Sequence, residues 1–135
     1  MKKQILDKWI KNLTNGKYKQ TAFALRRESG FCCLGVLTDM YIKKHGLNWD
    51  YVKDGACKFT GESNMLPQVV AEWAEFDKNI LIDTSDDLKS SLPVYDIKLK
   101  MIINDVQHED ITSANDYGET FSNIAAALNT QIITH

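Results

Sequence analysis

The sequence predicts an α+β fold: a single compact domain over residues 1–135, mainly helical with a small antiparallel sheet. Three observations predict it. Apolar residues recur at helical spacing in four separate stretches. Short alternating or β-branched runs, bounded by Gly, Pro, Asn and Asp, lie between those stretches. No repeat, low-complexity tract or linker breaks the 135 residues, and 44% of them are hydrophobic, enough to bury one core.

The first helix is expected near residues 3–14, where Ile5, Leu6, Trp9, Ile10 and Leu13 share one face and Asn15-Gly16 ends the run. KYKQTAFALRR, residues 17–27, alternates. Tyr18, Gln20, Ala22 and Ala24 fall on one side, Lys19, Thr21, Phe23 and Leu25 on the other, which predicts a strand. Glu28-Ser29-Gly30 is a turn. A second helix follows over residues 32–44, with Cys33, Leu34, Val36, Leu37, Met40 and Tyr41 as its apolar set. Lys43, Lys44 and His45 suit its C-terminal dipole, and Gly46 stops it. Gly35 inside this helix costs about 1 kcal/mol relative to Ala, which implies that another backbone comes close there. Residues 47–64 are polar and turn-rich and are expected to hold a short hairpin, with residues 56–59 as one strand. Leu66-Pro67 opens a third helix, striped by Val69, Val70, Trp73 and Phe76. Residues 79–83 read as a short strand, 83–91 as a polar loop or helical turn, and 93–105 as a further strand. The last helix covers residues 120–132 through Phe121, Ile124, Ala125, Leu128 and Ile132, with turn and cap chemistry over 115–120.

Sixteen basic and 18 acidic residues leave a net charge of −2, which argues against bulk binding of long nucleic acid but allows a local basic patch. The start, MKKQILDKWIKNL, has no uninterrupted apolar segment of the kind an export signal needs, and no run is long enough to span a membrane. The expectation is a cytoplasmic protein. Three cysteines, Cys32, Cys33 and Cys57, fit reduced thiols in such a compartment. His45, His108 and His135 are scattered and no CxxC or HxxxH pair occurs, so neither a metal nor a cofactor is expected.

Three features could carry chemistry. Cys32-Cys33 stands at a helix entry, where a thiolate could be stabilised; the plainer reading is two soft side chains packed at a turn. Lys17, Lys19, Arg26 and Arg27 lie within eleven positions, interleaved with Tyr18, Gln20 and Phe23. Cations for phosphate, a ring for stacking and an amide for a base edge are the parts of a nucleotide site, although a solvated strand would look the same. Asn115-Asp116-Tyr117-Gly118 either caps a helix or forms a ligand-contacting loop. The acidic pairs Asp86-Asp87 and Glu109-Asp110, and Glu72 with Glu75, have no fixed geometry, and no phosphate-loop, nucleophile-elbow or metalloprotease motif is present. A catalytic set is not expected.

The ordered set Trp9, Leu13, Gly16-x-Tyr18-x-Gln20, Leu25-Arg26 and Phe31-Cys32-Cys33-Leu34-Gly35-Val36-Leu37 resembles a widespread family of small tailed-phage proteins. That family continues with an LPxxVxxW motif, here Leu66 to Trp73, and closes with NDxGxSFxxIA, here Asn115 to Ala125. Two departures stand out: Thr120 replaces the usual Ser, and residues 79–113 form a longer insert with no counterpart. Within this resemblance the chain is similar to phage sponge proteins of the anti-CBASS type. The resemblance implies a homo-oligomer that sequesters a cyclic-nucleotide signal in the infected bacterial host without cleaving it. A cyclic dinucleotide or related signal nucleotide is then the expected partner, near a subunit interface. The residues expected to bind it are Lys17, Lys19, Arg26 and Arg27 for phosphate, Tyr18 for stacking, Gln20 and Asn115 for base edges, and Asp116 beside them, with Phe23 or Trp9 as further rings. The alternative is a protein-binding inhibitor of a host enzyme or defence complex, acting through acidic residues 83–87 and 109–116. A cysteine-dependent enzyme is a third option.

Overall fold

The computed structural model describes residues 1–52, 55–76, 101–103, 106–108 and 111–131. Five helices and a small four-stranded antiparallel sheet make up an α+β arrangement among them. Helix α1, Lys3–Thr14, buries Ile5, Leu6, Trp9 and Leu13, the stripe its periodicity foretold. Trp9 is fully buried, its indole Nε1 donates to the Cys33 carbonyl at 2.9 Å, and its ring meets Phe76 edge-on. Helix α2, Cys33–His45, and helix α5, Phe121–Gln131, both pack on α1. Truncation of a side chain placed like Trp9 costs about 3–5 kcal/mol.

The entry to α2 shows why the chain needs its cysteine and glycine there. Cys32 is extended, and its Sγ accepts from the Gly35 N–H at 3.3 Å, the place a Ser or Asp oxygen commonly fills. A Cβ on Gly35 would lie 1.8 Å from the Leu25 carbonyl oxygen, so the close approach implied by the sequence is real. That same carbonyl accepts from Cys32 N–H at 3.0 Å and pins the incoming segment against the helix start. Gly46, left-handed at φ 64°, ends α2 by donating to the Ile42 and Lys43 carbonyls.

The sheet is built from two-residue strands: β1, Arg26–Arg27; β2, Gly30–Phe31; β3, Asp50–Tyr51; and β4, Cys57–Lys58, in the spatial order β2-β1-β4-β3. Arg26 stands opposite Phe31 on one side and Cys57 on the other, and Cys57 stands opposite Tyr51. Phe31, Arg26, Cys57 and Tyr51 therefore form one row on one face of the sheet. The expected strand over residues 17–27 is shorter than its alternation suggested. Only Arg26–Arg27 is strand, and Gln20 makes a single bridge to Phe31. Phe23 breaks the run at φ 64°, and Ala24 and Leu25 are buried in succession, which no alternating strand allows.

Helix α3, Gln68–Trp73, follows Pro67; of the segment expected as strand over 93–105 only β5, Met101–Ile103, is described, and it pairs antiparallel with β6, Val106–His108, which the sequence reading did not foresee. The expected strand 79–83 and loop 83–91 lie outside the described residues, as does Ile132. Helix α4, Ile111–Asp116, takes in Asn115 and Asp116, so the expected turn begins only at Tyr117, with Gly118 at φ 106°. Among the described residues no helix is long and apolar enough to cross a membrane.

Candidate functional site

The residues singled out in the sequence separate into two places. Gln20, Asn115 and Asp116 form a latch. The Asn115 Oδ1 accepts from the Cys33 N–H at 3.2 Å and from Gln20 Nε2 at 2.9 Å, while its Nδ2 donates to the Thr21 carbonyl at 2.8 Å. Gln20 Nε2 also donates to the Glu119 carbonyl at 2.7 Å, and its Oε1 accepts from Phe121 N–H at 3.1 Å, at the start of α5. Asp116 accepts from the Phe23 N–H at 2.9 Å, which holds that residue in its left-handed conformation. Asn115 is 3% exposed. The amides expected to read base edges thus tie the 17–25 segment and the entry of α2 to α4 and α5. Lys19 is exposed, its carbonyl pairs with the Phe31 N–H, and neither it nor Arg27 lines the cavity described next.

Lys17, Tyr18 and Arg26 lie in a groove of about 790 Å³ between α1, α2 and the sheet. Such a volume suits a small-molecule ligand. Lys2, Lys8 and Lys11 line it from the start and polar face of α1, and Lys43 and Lys44 from the end of α2. Among the described residues seven cationic side chains thus face one carboxylate, Asp39, with Tyr18, Phe31 and Trp73 as the aromatic part of the wall. Lys43 pairs with Asp39 at 3.0 Å, and Lys2 meets Glu75 at 4.0 Å between half-exposed side chains. Among the described residues the other five have no carboxylate partner.

Asp39 organises the floor. Its carboxylate is buried and accepts from Tyr18 Oη at 2.7 Å, Trp49 Nε1 at 3.0 Å and Lys43 Nζ. Burial raises its pKa, but the hydrogen bonds from Trp49, Tyr18 and Lys43, with the lysine's charge, outweigh that and hold it below the usual value. Burial together with the Asp39 bond lifts the Tyr18 phenol above its usual range, and the Asp39 bond lifts Lys43. Tyr18 is thereby locked: its hydroxyl is engaged, Phe31 meets it edge-on at 4.9 Å, and the Lys43 ammonium sits 5.3 Å from its ring centre. Arg26 is surrounded by rings, its guanidinium carbon 5.0 Å from Phe31, 5.8 Å from Trp49 and 5.6 Å from Tyr51. The sequence reading missed the lysines of α1 and α2 as site residues, although Gln4, Lys8, Lys11, Asn12 and Asn15 recur at helical spacing along one side of α1 and that period was the available signal.

The cysteines lie elsewhere, and all three are free and buried. Burial pushes the Cys32 thiol up to about 12 and Cys33 well above the usual thiol value. Thiolate, the nucleophilic form, is therefore disfavoured at both. Among the described residues no group of three His, Cys, Asp or Glu is placed to hold a metal ion. The chain belongs to a domain family of unknown function, DUF8296, whose profile matches residues 1–132. No curated protein and no solved structure matches it.

Proposed function

We propose that this DUF8296 member binds and sequesters a cyclic oligonucleotide signal without cleaving it, as a phage-encoded immune-evasion protein acting in the cytoplasm of the infected host. The observation that carries the reading is the groove: seven cations against one carboxylate, walled in part by aromatic rings. Phosphates match the cations, and flat bases match the rings. The buried, high-pKa thiols support capture over cysteine chemistry. Nanomolar capture takes about 12 kcal/mol and each stacked base supplies about 1–3. Two copies of the groove closing on one roughly two-fold ligand reach that figure more readily than one, which is the argument for a homo-oligomer.

A panel of cyclic di- and trinucleotides followed by thermal shift tests this. One member at a hundred times its Kd should raise Tm by roughly 10 °C and come back intact after heat denaturation. Arg26→Ala should abolish the shift. No shift with any member, or an altered product, overturns the reading. A protein-binding inhibitor is the second reading, favoured by the exposed edge-to-face pair of Phe23 and Tyr117, 6.5 Å apart and 60% and 76% exposed. It predicts a captured host protein and indifference to Arg26→Ala.

A further inference from the structure

Resting on the groove as an anion site, we infer that Arg26 and Tyr51 form a stacking slot for a planar heterocycle at its edge, floored by Cys57. The sheet register puts Arg26, Cys57 and Tyr51 in one row on one face. Arg26 and Tyr51 are thus two strands apart, about 9.5 Å between backbones, with a small side chain between them. Arg26 leans across that gap until its guanidinium carbon is 5.6 Å from the Tyr51 ring centre. Arg26 also lines the groove and, among the described residues, has no carboxylate partner.

The three rings around Arg26 are not equally available. Trp49 is buried with its indole N–H bonded to Asp39, and Phe31 is packed edge-on against Tyr18. Tyr51 is 72% exposed. A flat ring held between two faces needs about 7–8 Å between them, twice an ordinary contact. The slot therefore opens by about 2 Å, a displacement an exposed tyrosine and an unpaired arginine can make. Arg26 then presents its edge to a phosphate in the groove and its face to the base. Stacking passes from Tyr18, which Asp39 and Lys43 lock, to Tyr51.

The test compares ATP with inorganic tripolyphosphate, which carries the phosphates without the base, by calorimetry on the full chain. ATP should bind wild-type protein about 5- to 150-fold more tightly. Tyr51→Ala should collapse ATP's affinity to that of tripolyphosphate, and Tyr51→Phe should restore the advantage. Lys11→Ala should weaken both probes alike. Equal affinity for the two probes in wild type, or an advantage that survives Tyr51→Ala, overturns the slot while leaving the anion groove standing. Failure of both probes to bind removes the groove reading and the slot with it. Tyr51 is exposed on an edge strand, and a melting curve for each variant confirms that the fold is kept.

Discussion

Replacement of Asn115 by Ala tests the latch. The side chain makes four hydrogen bonds, and the one to the Cys33 N–H is buried at the first turn of α2. Its loss leaves a buried donor unsatisfied, at about 1–3 kcal/mol. The bonds to the Thr21 carbonyl and the Gln20 amide are only partly buried, so each is counted at the net value of a hydrogen bond, about 0.5–1.5 kcal/mol. Together the loss is about 2–6 kcal/mol, a large share of the 5–15 kcal/mol typical of a domain. For a chain of this length that lowers Tm by roughly 7–21 °C. Urea unfolding followed by the fluorescence of Trp9, Trp49 and Trp73 measures it, with the m-value unchanged. A loss under about 1 kcal/mol refutes the reasoning, since water would then replace the amide. Unchanged stability with lost nucleotide binding would instead return Asn115 to the role of reading a base.

Gly35→Ala places a methyl 1.8 Å from the Leu25 carbonyl oxygen inside a fixed backbone contact, and should cost more than about 4 kcal/mol or prevent soluble expression. Asp39 has a folded pKa below its ordinary 3.8, so its contribution to stability is full above that pH and is lost as pH falls through the folded value. Acid titration of unfolding should show that loss in wild type and not in Asp39→Asn. Tyr18 and Lys43 are raised above 10.0 and 10.5, so theirs is full below those values and lost as pH rises beyond them; ultraviolet titration of wild type against Tyr18→Phe should find Tyr18 ionising late. An aromatic disulfide reagent at pH 8 should leave all three thiols unmodified in the native protein and modify all three in guanidinium; fast labelling of Cys32 or Cys33 in the native state contradicts the structural reading.

Helix α1 and helix α5 were legible because burial imposes a 3.6-residue period that tertiary context did not override; helix α2, buried without a break from Cys33 to Asp39, was legible from its apolar content, its basic last turn and Gly46; and Gly35 was legible because a helix tolerates glycine at a cost. Residues 17–25 misled because alternation is a weak signal where polar side chains from a distant segment capture the backbone. Asn115 and Asp116, more than ninety residues away, claim the Thr21 carbonyl and the Phe23 N–H. Nothing local to that stretch announces them. The site suffered from the same blindness to distance. A linear cluster of cations drew attention to Lys19 and Arg27, whereas the groove takes Lys8 and Lys11 from one helix and Lys43 and Lys44 from another.

Net charge is a poor guide to such a site. Among the described residues, seven of the eleven cations and one of the nine carboxylates line the groove, so four cations stand against eight carboxylates elsewhere. A small polyanion held wholly inside the groove meets almost only positive charge. On the proposed reading, the clustering of cations in a groove of about 790 Å³ matches a short, phosphate-bearing molecule better than a polymer, which would extend past it.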